Sequence, residues 1–495
     1  MAYFIPSEKI DEIRRANDIV DVISTYVNLK KRGKNYFGLC PFHSEKTPSF
    51  SVNREKDMFH CFGCGKGGNV FTFLMELEHM GFYDAVKMLA ERAGIELPER
   101  VRSAKGETIQ SLLFDVNRKT ARFYHDNLLS SEGKHALEYL KNRGIGDDAV
   151  KSFGLGYAPD KWEGLLTHLK IEEVKVELIE KAGLVLKRES GGYYDRFRNR
   201  IIFPIINLSG RVAGFGARAL EEAKDIPKYI NTPETPVYHK SRILYGLYKT
   251  REEIRSEGTA VLVEGYTDFI SLYQAGIRNV VAVSGTSLTE QHAEILSRYT
   301  DNVIIFYDSD NPGRLASIRA GTKFLIVGME VRVVELPQGF DPDSFVRKFP
   351  ISSVKKAMDS AVPLLDFRIA LNSERLKRRQ DKARFINEVL EDLSGMRDPI
   401  MESLILRDFS EKMGVSERVL YSEFGKYRKK STGRPGTVTG EYAKSDGISF
   451  QTAGERAQYE LLRLFIHSDS MRKNILSRIK PPSFSNEHLR ELFVV

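Results

Sequence analysis

Apolar residues at helical spacing mark the beginning of the chain. Ile10, Ile13 and Val20 predict one amphipathic helix, and two further helices are predicted at about residues 69–79 and 82–93. The segment between the first helix and the second is rich in cysteine and glycine and has the alternation of a β-hairpin. These elements together predict a small N-terminal module.

A different pattern begins near residue 259, where short β-branched runs alternate with segments long enough to form helices. The runs start at Val261, Val280, Val303 and Val331. Because a parallel strand needs a long crossover connection to its neighbour, this alternation predicts a parallel α/β sheet.

The remaining segments connect and extend these two regions. A long amphipathic helix is predicted from Ile109, and twisted strands are predicted between residues 193 and 218. Residues 98–106 and 430–447 have the composition of linkers. The predicted blocks are 1–100, 107–255, 258–345, 351–428 and 448–495.

Composition and charge exclude several classes of protein. The chain has 495 residues, of which 41 % are apolar and 29 % charged, and this excludes collagen-like, disordered and membrane-embedded proteins. The net charge is +8, so a surface that binds polyanions must arise from where the basic residues lie. No apolar run reaches the roughly 18 residues of a membrane span, and no signal-peptide core follows the N-terminus. A cytoplasmic location without a membrane partner is therefore expected.

All three cysteines lie within one short segment, which favours a metal site in a reduced compartment over a disulfide framework. Cys40 and His43 form one pair, Cys61 and Cys64 a second, each with two residues between its members. Tetrahedral zinc takes four such ligands, and the short spacing lets one tight turn present two of them. His60 is a competing ligand, but strand alternation would point it away from Cys61. One structural Zn²⁺ is predicted, because four positions are filled.

Carboxylates follow three of the predicted parallel strands. Glu264 follows the first run, Asp308 and Asp310 the third, and Asp341 and Asp343 the fourth. Ligands of open parallel sheets bind beyond the carboxyl ends of the strands, so these acids are expected to share one crevice. Neighbouring carboxylates repel one another unless hard cations neutralise them, and Mg²⁺ prefers oxygen ligands. A single acid after a strand is more often a helix cap, but the repetition at three strand ends favours a metal site.

These motifs resemble those of the bacterial replicative primases of the DnaG type. Segments 40–50 and 60–65 look like the CHC2 zinc-binding module of that family, and segments 263–268 and 307–310 look like its toprim domain. Segments 196–204 and 227–235 are similar to parts of its polymerase domain.

The resemblance implies a multidomain α+β and α/β fold. A zinc-ribbon-like module (1–100) would precede a mixed α/β polymerase domain, made of an N-terminal part (107–255), a toprim parallel sheet (258–345) and a helical part (351–428). The helical C-terminal region (448–495) would correspond to the module that binds the replicative helicase, and either this is a shortened version of it or the sequence is incomplete.

The resemblance also implies roles for single residues. It places zinc on Cys40, His43, Cys61 and Cys64, and catalytic Mg²⁺ (or Mn²⁺) on Glu264, Asp308 and Asp310, with Asp341 and Asp343 as outer or second-ion ligands. Lys228 would meet nucleotide phosphates. Five arginines are candidates for a basic surface that holds the template or nascent strand, although exposed arginines often only solvate a surface: Arg143, Arg196, Arg198, Arg200 and Arg218.

The activity implied is Mg²⁺-dependent synthesis of short RNA primers, begun without a primer on single-stranded DNA from ribonucleoside triphosphates. Two alternatives differ in class. A topoisomerase or nuclease of the toprim type would need further motifs, and none marks a nucleophile among the 21 tyrosines. A non-catalytic zinc-bearing binder of single-stranded DNA would not need acids at three strand ends. A fused helicase would need a Walker A loop, which the sequence lacks.

Overall fold

The computed structural model describes residues 5–431, except for 6, 44, 46, 79–80, 97–107, 222–225, 284, 286 and 397. One structural unit ends at Tyr421 and a second begins at Ser422. The predicted linker at 98–106 and the block at 448–495 lie outside the described residues, as does the linker at 430–447 beyond its first two residues. Among the helices that are described, none has the length and apolar character needed to cross a bilayer.

The N-terminal module is a five-stranded antiparallel sheet flanked by helices. Its strands pair in the order β1-β2-β3-β4-β5. Phe50, Phe59 and Phe73 pack with ring centroids 5.3–6.0 Å apart at its centre. The elements are α1 (Ser7–Ala16), α2 (Ile19–Ser24), β1 (Lys30–Arg32), β2 (Asn35–Gly38), β3 (Phe50–Asn53), β4 (Met58–Cys61), β5 (Gly67–Gly68), α3 (Val70–Glu78) and α4 (Phe82–Ala93).

The single helix predicted at the N-terminus is wrong, because the chain turns between α1 and α2. Asp18 caps α2 by accepting hydrogen bonds from the backbone N–H groups of residues 20 and 21, a local bond that competes with continuation of a helix. Buried Asn17 donates to the carbonyls of Ile13 and Leu89 and so stabilises the break. The helices predicted at 69–79 and 82–93 are confirmed as α3 and α4.

The second block is a four-stranded antiparallel sheet in the order β11-β10-β9-β6, with α5 packed across it. Buried Asn117 of α5 donates to the carbonyls of Val212 and Ala213 on β10. The elements are α5 (Ile109–Leu129), α6 (Lys134–Asn142), α7 (Asp147–Phe153), β6 (Gly156–Ala158), α8 (Gly164–Ile171), α9 (Val176–Lys181), β7 (Val185–Lys187), β8 (Tyr193–Asp195), β9 (Arg200–Ile206), β10 (Val212–Ala219) and β11 (Tyr229–Asn231).

The third block contains the predicted parallel sheet. Its order is β13-β12-β14-β15-β16, and only β16 runs antiparallel to its neighbour. The elements are a 3-10 turn (Lys240–Arg242), α10 (Leu247–Glu257), β12 (Ala260–Val263), α11 (Tyr266–Gln274), β13 (Val280–Ala282), α12 (Glu290–Leu296), β14 (Asn302–Ile305), α13 (Asn311–Ile326), β15 (Glu330–Val333), α14 (Pro342–Lys348), α15 (Ile351–Asp359) and β16 (Val362–Pro363).

Helices follow the parallel sheet, as the pattern predicted. Asp398 caps the helix that begins at Pro399, and Gly414 ends it in the left-handed conformation. The elements are α16 (Leu364–Leu371), a 3-10 turn (Arg375–Lys377), α17 (Arg379–Leu393), α18 (Pro399–Met413) and α19 (Glu417–Ser431).

Candidate metal centres and catalytic site

The structure brings the four predicted zinc ligands together. Their ligand atoms all lie within 4.8 Å of one another. The sulfurs of Cys40 and Cys64 are 3.8 Å apart, as are Cys61 Sγ and His43 Nδ1. A tetrahedron of zinc–sulfur bonds of about 2.3 Å has edges of about 3.8 Å, so the four residues fit one Zn²⁺. His60 is exposed on β4 whereas Cys61 is buried, which confirms that strand alternation turns His60 away.

Glu45 supports this site, although no motif in the sequence points to its role. Its Oε2 lies 3.3 Å from His43 Nε2, and its Oε1 accepts from the backbone N–H of Cys40 and of Ser49. Nδ1 of the imidazole is therefore the nitrogen that faces the sulfurs, and Glu45 orients the ring from behind. Burial raises the pKa of Cys40 to about 12, so zinc must displace a proton from this thiol when it binds.

The carboxyl ends of the parallel strands carry a second group of acids. Ser309 joins two of the strand-end loops, because its N–H donates to Phe340 O and its Oγ accepts from Phe340 N. This contact brings the loop of Asp308 and Asp310 beside Asp341. We call Glu264, Asp268, Asp308, Asp310 and Asp341 the acid cluster.

Members of the acid cluster lie near enough to one another to raise one another's pKa values. Burial, reinforced by Asp308 and Asp310, raises the pKa of Glu264 to about 7. Burial and the charges of Asp341 and Asp310 raise the pKa of Asp308 to about 6, although Lys228 opposes the rise. Asp268 is buried, and burial together with nearby acids raises its pKa to about 8.

The acid cluster also has the donor atoms that a hard cation needs. Oε1 of Glu264 is buried and has no hydrogen-bond partner among the described residues. A buried carboxylate oxygen without a partner is costly, and a divalent cation would satisfy it. The chemistry of this donor set suits a divalent cation, but among the described residues only Cys40, His43, Cys61 and Cys64 have ligand atoms close enough together to form a preassembled metal site.

Asp310 and Asp341 also cap helices. Asp310 accepts a 2.7 Å hydrogen bond from Gly313 N at the start of α13, and Asp341 a 2.6 Å bond from Ser344 N at the start of α14. In each case Oδ1 makes the cap bond, so capping and metal binding are compatible. A Cβ at Gly313 would lie 2.5 Å from Asp308 O, which explains the glycine where α13 approaches the acid cluster.

The structure adds Asp268 to the acids of this site and gives Asp343 other partners. Asp268 was not among the predicted site residues, yet it lies in the first turn of α11 and accepts from Gly265 N at 3.0 Å. Its place four residues after Glu264 was the available signal. Asp343 is 2 % exposed, and its carboxylate contacts Ser271, Arg143 and Arg347.

Two of the five candidate arginines are not on an exposed surface. Arg200 is 6 % exposed and donates to the carbonyl of Pro227, so it holds the segment that presents Lys228. Arg218 is 2 % exposed and lies over the rings of Tyr139 and Tyr229, 4.9 and 5.8 Å from their centroids. Their burial contradicts the prediction that they help to form an open basic surface.

Arg196 is half-buried, and burial lowers the pKa of its guanidinium. Arg198 lies over the ring of Trp162, 4.3 Å from its centroid, and over Tyr194 at 5.2 Å. Arg188 lies 5.8 Å from both rings. Trp162 is 61 % exposed and is the only tryptophan of the chain, and no pattern in the sequence indicates that it is exposed. We call Trp162, Arg188, Tyr194 and Arg198 the aromatic–arginine cluster.

Comparison with protein families assigns these features to known domains. The chain matches family models described as CHC2 zinc finger (residues 5–105), DNA primase catalytic core, N-terminal domain (123–251), Toprim-like (261–346) and DnaB-helicase binding domain of primase (367–418). The class of protein is therefore a nucleotidyltransferase with a zinc module and a toprim domain. The helicase-binding match falls within the block predicted as 351–428, not at 448–495.

Individual relatives extend the similarity over most of the chain. The DNA primase of Halalkalibacterium halodurans is 38 % identical over 488 residues, which are 96 % of this chain and 81 % of the relative. The DNA primase of Geobacillus stearothermophilus is 41 % identical over 452 residues, 90 % of this chain and 75 % of the relative.

Solved structures of primases are also similar to this chain. The zinc-binding and RNA polymerase domains of the Aquifex aeolicus primase match with 38 % identity and a TM-score of 0.57, over 83 % of this chain and 98 % of that one. A DnaG primase catalytic domain bound to single-stranded DNA matches with 32 % identity and a TM-score of 0.56, over 63 % and 98 %.

The chain belongs to the DNA primase family of the DnaG type. It is a DNA-directed RNA polymerase that synthesises RNA primers, and the resemblance seen in the sequence is confirmed. The CHC2 match and the four clustered ligands support zinc in the N-terminal module, and the toprim match indicates a divalent metal.

Proposed function

We propose that the acid cluster binds Mg²⁺, with Glu264, Asp308 and Asp310 as ligands and Asp341 as a ligand of a second ion. The observation that carries this proposal is the mutual rise of carboxyl pKa values around a buried oxygen of Glu264 that has no hydrogen-bond partner. Bound Mg²⁺ would activate the attacking 3′-hydroxyl and stabilise the departing pyrophosphate.

The protein's own residues prepare this reaction by fixing charge in place. Lys228 is exposed, and its charge opposes the rise in the pKa of Asp308. It is therefore positioned to bind the triphosphate of a ribonucleotide beside the acid cluster. Arg200 holds the backbone of that segment from beneath. Fixed charges of this kind lower the barrier because they need no reorganisation during phosphoryl transfer.

The test is Asp308→Asn in the full zinc-loaded chain. We expect primer synthesis on single-stranded DNA, with labelled ribonucleotides and Mg²⁺, to fall by roughly 10²-fold or more. Asp301→Asn, at an exposed aspartate just before β14, serves as the matched control and should retain activity. Mn²⁺ titration followed by electron paramagnetic resonance should show weaker binding only in Asp308→Asn. Undiminished synthesis in that variant would contradict the proposed site.

We further propose that the aromatic–arginine cluster binds the single-stranded DNA template. The exposed ring of Trp162 offers a face for stacking to bases of any sequence, and Arg188 and Arg198 supply positive charge beside it. A related primase domain has been solved with single-stranded DNA. In the zinc module, the exposed basic strand β1 and Phe62, which is 72 % exposed, would contact the template as well.

Trp162 makes this proposal directly measurable because its fluorescence is the only tryptophan signal of the chain. We expect oligo(dT) to quench it, and Trp162→Ala to weaken template binding by about 1–3 kcal/mol. Trp162→Phe should retain most of the affinity, and Ile171→Ala, at a residue that is 78 % exposed, is the control. An unquenched signal together with unchanged affinity in Trp162→Ala would exclude stacking.

We also propose that α16, α17 and α18 contact the replicative helicase. The helicase-binding family model covers residues 367–418. Ile400 and Leu404 lie one turn apart on α18 and are 73 % and 57 % exposed, which suits an apolar contact. Ile400→Glu with Leu404→Glu should weaken co-sedimentation with the helicase and leave primer synthesis by the isolated primase unchanged. Equal binding by the double variant would place the contact elsewhere.

A further inference from the structure

The carboxylate of Asp343 is saturated by charged and polar donors. Its Oδ1 accepts from Ser271 Oγ at 2.6 Å and from Arg347 Nε at 3.1 Å. Its Oδ2 accepts from Arg347 Nη2 at 3.0 Å and from Arg143 Nη1 at 3.4 Å. The side chain is 3 % exposed, and a buried carboxylate requires compensating positive charge. The guanidinium groups of Arg143 and Arg347 already supply it.

The turn that contains Arg143 is held to the same place by a second set of bonds. Gln274 Nε2 donates to Gly144 O at 2.9 Å, and Gln274 Oε1 accepts from Gly146 N at 3.0 Å. Gln274 lies three residues after Ser271 on α11, so both side chains project from one face of that helix. We call residues 143–146 the clamp turn.

The clamp turn therefore ties the block at 107–255 to α11, which carries Asp268, and to α14, which Asp341 caps. Ser271 lies three residues after Asp268 on α11. Asp343 lies two residues after Asp341 on α14. Bonds at these positions hold the first turn of α14 and the second half of α11, the two helices next to the acid cluster.

We propose that Arg143 and Asp343 are positioning residues, which fix α11 and α14 so that the acid cluster keeps its geometry. The inference rests on the metal site proposed above. It replaces a template contact for Arg143 and a magnesium ligand for Asp343. Freeing Asp343 to bind a cation would break its ion pairs with Arg143 and Arg347, and breaking a pair whose carboxylate is buried is destabilising.

Four variants of the full zinc-loaded chain test the proposal: Arg143→Gln, Asp343→Asn, the double variant and Gln274→Ala. We expect kcat per folded molecule to fall by roughly 10-fold or more in each, because small displacements of reacting groups cost large factors in rate. The KM for ribonucleotides and the Kd for template should change by less than about 2-fold. Lys141→Gln removes a neighbouring exposed charge and is the control, with unchanged kcat.

Non-additivity is the main criterion. If both residues act through one contact, the double variant should be no slower than the slower single variant, within about 2-fold. Gln274→Ala should show the same kcat defect, since it loosens the clamp turn without touching metal or DNA. Thermal unfolding of every variant supplies the folded fraction.

Three outcomes would overturn the proposal. If Arg143→Gln bound the template more weakly, and the slope of log affinity against log salt concentration became smaller by about 1, Arg143 would be a phosphate contact. Full kcat for Asp343→Asn at a raised Mg²⁺ requirement would make Asp343 a metal ligand. If the kcat loss of the double variant equalled the product of the two single losses, the two residues would act independently. That result, or full kcat in Gln274→Ala, would show that the clamp turn does not act as a unit. Asp308→Asn, assayed in parallel, tests the metal site separately.

Discussion

Replacing Glu264 by glutamine should make the protein inactive and, in the absence of Mg²⁺, more stable. In the folded state burial raises the pKa of Glu264 from 4.5 to about 7, with Asp308 and Asp310 adding to the rise. That rise corresponds to roughly 3 kcal/mol for ionising Glu264 in the fold. Because part of the carboxyl is open to solvent, we expect about 1–2 kcal/mol of it to be realised.

The sign of the pH dependence follows from the raised pKa. The stabilising contribution of protonated Glu264 is complete below pH 4.5 and is lost as the pH rises through about 7. The wild-type chain without Mg²⁺ should therefore lose stability between about pH 5 and pH 8. Glutamine stays neutral, so the stability of Glu264→Gln should lack this dependence on pH. The variant should be more stable than wild type at about pH 8 by about 1–2 kcal/mol.

The assay is urea unfolding of zinc-loaded protein at about pH 5 and about pH 8, with and without Mg²⁺. Saturating Mg²⁺ should stabilise the wild type, by about 2.7 kcal/mol at 100 times its Kd, and should stabilise the variant much less. Glu257→Gln, at an exposed glutamate of α10, is the control. The reasoning is refuted if Glu264→Gln is less stable than wild type at high pH, or if both proteins respond equally to pH and to Mg²⁺.

Three further outcomes follow from the geometry. Glu45→Gln should weaken zinc binding by roughly 10- to 100-fold, as measured by competition with a chromogenic chelator; unchanged affinity would remove Glu45 from the site. Gly313→Ala should cost about 1–3 kcal/mol in unfolding free energy and reduce kcat, because its Cβ would press on Asp308, whereas Gly395→Ala has room and should be near neutral; equal effects would contradict the close approach. Half-maximal activity should require more Mg²⁺ at about pH 6 than at about pH 8, because protons on Glu264 and Asp308 compete with the metal; a flat Mg²⁺ requirement would argue against these ligands.

Features that depend on neighbours in the chain could be predicted from the sequence. The zinc ligands form two close pairs, and a two-residue spacing alone lets one turn present both members of a pair. The β-branched runs at 261, 280, 303 and 331 predicted the parallel sheet, because burial on both faces requires apolar residues along the strand. The acids at three strand ends then had to meet at one edge, and the pKa values of Glu264 and Asp308 agree with that expectation.

Only the tertiary structure decided what each charged side chain contacts. Arg143 and Asp343 are 200 residues apart, and no local pattern indicates that they pair. Arg218 looks like any basic residue in the sequence, yet it is buried between two tyrosine rings. Trp162 would ordinarily be assigned to a core, but it lies exposed against Arg198. Burial and long-range pairing arise when distant segments pack, so they cannot be inferred from spacing along the chain.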